Sequence, residues 1–442
     1  MSLSDELIQK LKSVPVAKMS GRISAIKGLL LEAKGLRLPI GQLCHINMQS
    51  GRQVEAEVVG FDGASQFLMP LSTTMEGLAA GDRIIPVSLN HTMPVGEELL
   101  GRVVDAMGKP LDSNVLSLSD RISIHSSPLN PMSRKPVDEP LEVGVRVIDS
   151  LLTLGKGQRV GLFAGSGVGK STLMGMMTRN TRADVTVVGL IGERSREVKE
   201  FVDQILGMEG REKAVVVASP GDESPVRRIR AALYCHQIAE YFRDQGKTVL
   251  LLMDSLTRYA QAHREIALAV GEAPAAKGFP PSVFSKIPIL LERAGTGIGE
   301  GSVTAIYTVL AEGDDMQEPV VDTARSILDG HIVLSRELAE RGHFPAIDLE
   351  ASISRTMSQL ITEEHEKCAQ AFRRYHARYN EFRELMAIGA YKPGADPELD
   401  KAIEHRPQME RFLQQSRYEQ VDLSGSIQQL INIWQPDQVV TS

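Results

Sequence analysis

The stretch Arg159-Val-Gly-Leu-Phe-Ala164-Gly-Ser-Gly-Val-Gly-Lys170-Ser171-Thr172 decides how this chain is read. Its first six residues form a short apolar run suited to a buried strand. Gly165, Gly167 and Gly169 permit a turn whose backbone N–H groups face inward. Leu173, Met176 and Met177 follow at helical spacing. A helix start behind such a turn favours an anion, because its first amides lack partners and its dipole is positive there. Lys170 brings a charge for outer phosphates and Ser171 a hydroxyl for magnesium. Ser166, Val168 and Thr172 complete the cradle. Ala164 stands where the strict pattern has glycine, and at the loop's opening a small residue serves. The strand before and the helix after are the context this motif requires.

Working downstream, Asp184–Ile191, Ala214–Ser219 and Val249–Asp254 are further apolar runs. Val198, Phe201, Val202, Ile205 and Leu206 fall on one helical face. Ser224-Pro225 offers an N-cap and a first-turn proline, and that helix should stop near Gly246. Near-continuous apolar strands alternating with helices predict an α/β domain with a parallel sheet covered on both faces. Upstream, residues 21–88 read as short strands, among them Val54–Val59 and Arg83–Ser88, and predict a small N-terminal β-barrel. A Gly- and Pro-punctuated connector runs from about Pro94 to Pro140. From about 356 the chain is charged and helical, which predicts a small helical domain. The expected division is 1–20, 21–90, 91–355 and 356–442. Leu3, Leu7, Ile8 and Leu11 have helical spacing, which fits both a helix packed on its own domain and a detachable partner-docking helix.

Composition excludes several classes. The 442 residues are 42% hydrophobic and 24% charged, with a net charge of -7. That balance speaks against a general nucleic-acid binder. Cys44, Cys235 and Cys368 are scattered, without metal or disulfide spacing, and a reducing cytoplasm fits them. No apolar run approaches a membrane span, and the first residues lack the pattern of a signal peptide. Any membrane role is expected through a partner.

Two carboxylates join the phosphate loop as candidates. Asp254 ends an apolar strand, where an acid can hold a magnesium shell; a plain strand-ending aspartate reads the same. Glu193, in Gly192-Glu-Arg194, follows another strand, where a carboxylate can orient and polarise an attacking water. An acid drawn to a helix start by the dipole has the same spacing. Gly295–Gly301 is Gly-rich but opens no helix after a strand and reads as a turn. His365-Glu-Lys-Cys-Ala369 lacks a second histidine for zinc. Tyr375 and Tyr379 read as packing residues.

Pro345-Ala-Ile-Asp-Leu-Glu-Ala-Ser-Ile-Ser354 matches, at every fixed position, the signature of the rotary ATPase α/β family. Leu251–Ala260, Arg264–Pro274 and Lys277–Ser282 look like the type III secretion ATPases, and among them the flagellum-specific export ATPases. The resemblance runs from about residue 20 to the C-terminus and implies a RecA-like core that hydrolyses Mg-ATP. It implies a catalytic role for Glu193, with Arg194 in the same motif. It implies a second acid, Glu197, near the metal's water, a Walker B role for Asp254 and a site arginine at Arg258. Arg355 would be an arginine finger reaching a neighbouring subunit's nucleotide. Phe344 would lie against adenine, with Tyr391 as its partner.

A candidate base and a candidate finger in one chain allow identical chains to build every site, and head-to-tail contacts then close a ring, for which the family implies six copies. The resemblance further implies a stalk protein in the ring's pore, a regulator on the N-terminal helix, an export-gate membrane protein, and export chaperones and substrates. It implies a cytoplasmic place, peripheral to the inner membrane. The loop Glu312–Glu318 reads either as a sensor of the stalk or as an acidic surface loop. Rival readings are a virulence-type secretion ATPase, a rotary synthase subunit, a ring-shaped RNA translocase and a nucleotide-gated scaffold. The RNA translocase calls for a basic, aromatic-laced barrel, whereas this chain is 5% aromatic and acidic.

Overall fold

Alternating burial along short strands builds the N-terminal part. In the computed structural model, which describes residues 19–87, 92–112, 115–118, 120–124, 129–311 and 317–434, six strands close a barrel. They are β1 (Gly21–Lys27), β2 (Leu30–Lys34), β3 (Leu43–Asn47), β4 (Gln53–Asp62), β5 (Ser65–Pro70) and β6 (Arg83–Pro86). Their order round the barrel is β1-β2-β5-β4-β3-β6. Leu31, Ala33, Ile46, Ala56, Val58, Leu68 and Ile84 fill it and are inaccessible to solvent. Bulges in β1 after Ile23 and in β4 after Val58 help it curl. The expected docking helix falls in residues 1–18, and most of the expected stalk-sensing loop in 312–316; both lie outside the described residues.

The chain divides into two compact units, residues 1–91 with 266–272, and 92–265 with 273–442. The second unit is built on one sheet. Its strands are β7 (Val103–Val104), β8 (Arg159–Ala164), β9 (Val185–Ile191), β10 (Ala214–Ser219), β11 (Thr248–Asp254), β12 (Ser302–Leu310), β13 (Gly330–Leu334) and β14 (Ile347–Ser354). Their order is β14-β13-β8-β12-β11-β9-β10-β7. Along this order every pairing is parallel except that of β13 with β14, and the short strand Gly295–Thr296 adds an antiparallel pairing to β12. Helices cover both faces, so β9, β10 and β11 are buried almost end to end.

Local chemistry explains the helix boundaries. Ser224 accepts a hydrogen bond from the Arg227 N–H at 3.4 Å and starts the helix Pro225–Asp244. Gly246, with φ of 85°, follows its end. The face marked by Val198 to Leu206 is helical, but it changes pitch from α over Ser195–Glu200 to π over Phe201–Leu206. The tail is helical, over Glu363–Ala387, Pro397–Leu413 and Leu423–Asn432. Phe372, Phe412, Leu413 and Leu430 bury these helices in one cluster with Ile148, Leu173 and Met177 of the nucleotide core. Tyr375 packs on Trp434, with ring centroids 5.4 Å apart, and Tyr379 lies under Arg406. The His365 ring is hydrogen-bonded to the Ser150 carbonyl at 2.6 Å.

Candidate active site

In a parallel sheet the loops after the strand ends converge, and ligands bind there. Ala164, at the end of β8, opens the glycine loop. Gly167 and Gly169 have φ of 79° and 88°, a left-handed conformation that glycine adopts without strain. The helix Lys170–Asn180 follows, and no side chain caps its start. Its first N–H groups therefore remain available to an anion, with the helix dipole behind them.

Lys170 reaches across two strand ends. Its Nζ donates to Asp254 Oδ1 at 2.6 Å and lies 3.5 Å from Glu193 Oε1. Asp254 ends β11 and is 3% exposed. Its Oδ1 also accepts from the Thr308 hydroxyl at 2.6 Å. Thr308 lies on β12, a strand that neither motif nor periodicity picks out in the sequence. Burial lowers the Lys170 proton affinity, but the Asp254 and Glu193 carboxylates outweigh it, and the net direction is upward. The ammonium is thus firmly charged.

Glu193 sits just past β9, on a turn that has three fastenings. The Gly192 N–H donates to the Ser219 carbonyl at 2.7 Å, the Gly221 N–H to the Glu193 carbonyl at 3.0 Å, and the Ser255 N–H to the Ile191 carbonyl at 3.3 Å. Gly192 has φ of 74°, and a Cβ there would lie 2.7 Å from the Arg258 side chain. Arg258 backs the turn, and its Nη1 donates to Gln261 at 2.8 Å. Burial first, then the Asp254 charge, raises the Glu193 carboxyl to about 7; Lys170 opposes this and Glu197 adds to it. Glu193 Oε1 is buried without a hydrogen-bond partner. With only the Lys170 ammonium beside it, at 3.5 Å, this oxygen has acceptor capacity left for a water or a metal's water shell.

The other sequence candidates fall into three groups. Glu197 is half-exposed beside Glu193, and Arg194 is largely in solvent, 3.5 Å from Glu197. Phe344, joined to Pro345 by a cis peptide, flanks the glycine loop; a Cβ on Gly169 would lie 3.4 Å from its ring. Together they bound a cleft of about 390 Å³ lined by Gly167, Thr172, Leu173, Met176 and Phe344 on one side and by Gln415, Ser416 and Arg417 on the other. Tyr391 corrects the expectation: it does not line this cleft, and its hydroxyl donates to Asp400 Oδ1 at 2.6 Å. The segment 415–417 stands across the cleft from the glycine loop instead. Its signal in the sequence is absent, since only folding brings it to residues 144–176.

Arg355 lies at the far edge of the sheet. Ser354 pairs with Gly330, at the start of β13, and β13 runs parallel to β8. Four strand residues at about 3.3 Å each separate that edge from the end of β8, so Arg355 is more than about 13 Å from its own chain's glycine loop. It is exposed, and its own N–H donates to the Asp329 carbonyl at 3.0 Å.

Comparison with known proteins places this arrangement. Residues 144–354 match the ATP synthase alpha/beta family, nucleotide-binding domain, and residues 361–432 match the T3SS EscN ATPase C-terminal domain. A flagellum-specific ATP synthase of Pseudomonas aeruginosa is 55% identical over 94% of this chain and 93% of its own. That of Salmonella typhimurium is 54% identical over 96% of both. The assembled ATPase EscN of the enteropathogenic E. coli type III secretion system shares 45% identity, with a TM-score of 0.88 over 93% of this chain and 99% of EscN. EscN in complex with its central stalk EscO shares 44% identity, with a TM-score of 0.86 over the same shares of the two chains. By identity and by fold over nearly its whole length, the chain is thus a member of the ATP synthase alpha/beta family, in its branch of flagellum-specific and type III secretion ATPases.

Proposed function

We propose that this chain hydrolyses Mg-ATP to energise flagellar type III protein export. The observation that carries the reading is the convergence of Lys170, Asp254 and Glu193 below an uncapped helix start. Lys170 and the loop amides bind the β- and γ-phosphates. Ser171 and Asp254 hold the magnesium ion, with Glu197 toward its water shell. Magnesium takes one or two carboxylates together with substrate phosphates, and Asp254 offers such a carboxylate at the end of β11. The ion's charge offsets that developing on the transferred phosphoryl group. Glu193, deprotonated, orients the attacking water; Arg258 and Gly192 hold its turn. Phe344 stacks on the base.

Arg355 is exposed and stands more than about 13 Å from its own loop, so it serves the site of the next copy. Copies of the chain form a ring of six around a stalk, in keeping with assembled EscN and its complex with EscO. The ring works in the cytoplasm at the inner-membrane export gate and releases and unfolds chaperone-bound cargo. The 54–55% identity to two flagellar relatives, against 45% to EscN, favours the flagellum over an injectisome. The test is a chromosomal Lys170→Ala exchange. It should leave the chain at normal abundance yet abolish hydrolysis and flagellar filaments. Filaments at wild-type number, with the variant inactive in vitro, would refute the proposed role.

A further inference from the structure

The cleft's second wall is made by the loop after the helix Pro397–Leu413, and one buried side chain fastens that loop to everything around it. Gln415 is 5% exposed. Its Oε1 accepts from the Arg146 N–H at 2.8 Å, and its Nε2 donates to the Gly144 carbonyl at 3.0 Å and to the Glu419 carbonyl at 3.1 Å. Its own N–H donates to the Phe344 carbonyl at 3.0 Å. Its backbone N–H, its amide oxygen and both amide N–H bonds thus tie the loop to residues 144–146, to Phe344 and to Glu419. Gly144 is itself wedged against the end of the glycine-loop helix: a Cβ there would lie 2.2 Å from Asn180 Cβ.

Arg146 grips the same loop from the other side. Its Nη1 donates to the carbonyls of Phe412 at 3.2 Å and Gln414 at 3.0 Å, where the helix ends, and its Nη2 pairs with Glu419. Those carbonyls are the unpaired acceptors of a helix C-terminus, and a buried cation satisfies them. Residues 144–146 and the loop 414–419 therefore form a clasp, and the Gln415 N–H ties Phe344 into it.

We propose that Gln415 is a positioning residue for the base half of the nucleotide cleft. It sets where Phe344 and the 415–417 wall stand relative to the glycine loop, and it touches no phosphate. The inference rests on the reading of this cleft as the nucleotide site. Losing the clasp costs affinity for the base while the phosphate grip persists.

The test uses the full chain in its assembled state. Gln415→Met keeps the side chain's length and removes its polar atoms. It should raise the KM for ATP about tenfold, with kcat falling less than about threefold. Competition by inorganic triphosphate, which has no base, should stay within about twofold of wild type. Phe344→Ala should raise KM as well, and adding Gln415→Met to it should raise it little further, because the two act as one unit. Should Gln415→Met fail to fold, Gln415→Glu keeps the acceptor for Arg146 and loses the donor, and it should show the same split. An unaltered KM in a folded Gln415 variant, equal loss of ATP and triphosphate binding, or full additivity with Phe344→Ala would overturn the proposal. An unaltered KM in Phe344→Ala alone would instead overturn the reading of the cleft as a base site.

Discussion

Replacing Glu193 by glutamine should stabilise the protein while it stops hydrolysis. The carboxyl is raised from its ordinary value of 4.5 to about 7 by burial and by the Asp254 charge, against the pull of Lys170. A folded-state value above the unfolded one means that ionised Glu193 opposes folding. The penalty is absent at low pH, where both states bind the proton, and complete above about 7. At about 1.4 kcal/mol per tenfold change, the full penalty is on the order of 3 kcal/mol. Glutamine never ionises, so it avoids this cost at every pH. Chemical denaturation of wild type and Glu193→Gln at about pH 5 and about pH 8.5, in the absence of nucleotide, measures the difference. The variant's advantage should grow by about 2 to 3 kcal/mol between those conditions. ATP binding should persist while turnover falls by at least about a hundredfold. A variant less stable than wild type at about pH 8.5, or an advantage independent of pH, would refute the account of Glu193 as a charge held beside Lys170 and Asp254 at a cost to folding.

Other consequences follow from the same geometry. Wild-type hydrolysis should decline as pH falls through about 7, because the water-orienting carboxylate takes up a proton there; a profile flat down to pH 5 would contradict this. Thr308→Val removes the hydroxyl that donates to Asp254 Oδ1. It should destabilise the nucleotide-binding unit by about 2 kcal/mol, read as a lowered denaturation midpoint. Gly192→Ala places a Cβ at φ of 74° and 2.7 Å from Arg258. It should cost about 1 to 3 kcal/mol of stability and displace Glu193, so that steady-state turnover falls far more than nucleotide binding.

The parts of this fold that are legible in the sequence are those where one physical signal dominates. Strands β8 to β11 are near-continuous apolar runs because both faces of the sheet are covered. The glycine loop is legible because its backbone geometry demands glycine. Strand β12, central to the sheet, is hidden because Ser302, Thr304 and Thr308 alternate with apolar residues and imitate a solvated face. Those threonines are buried and bonded: Thr304 accepts from the Gly157 N–H at 2.8 Å, and Thr308 supports Asp254. The helical face from Val198 to Leu206 is legible as a face, while its π pitch is not, since apolar spacing constrains only which side is buried. The cleft wall at 415–417 is not legible because it is brought there by hydrogen bonds to residues 144 and 146, some 270 positions away in the chain. No local pattern encodes such a contact.

The central claim is that each site is completed by the next copy of the chain, and mixing two variants tests it directly. Lys170→Ala lacks a working phosphate grip but keeps its finger. Arg355→Ala keeps the grip but lacks the finger. Each assembled alone should be nearly inactive, with Arg355→Ala reduced about a thousandfold. Co-assembled in equal amounts, about one interface in four pairs an intact Lys170 with an intact Arg355. Hydrolysis should then return, to at most about a quarter of the wild-type rate per chain. Full activity of Arg355→Ala alone, or a mixture as inactive as its components, would contradict the account.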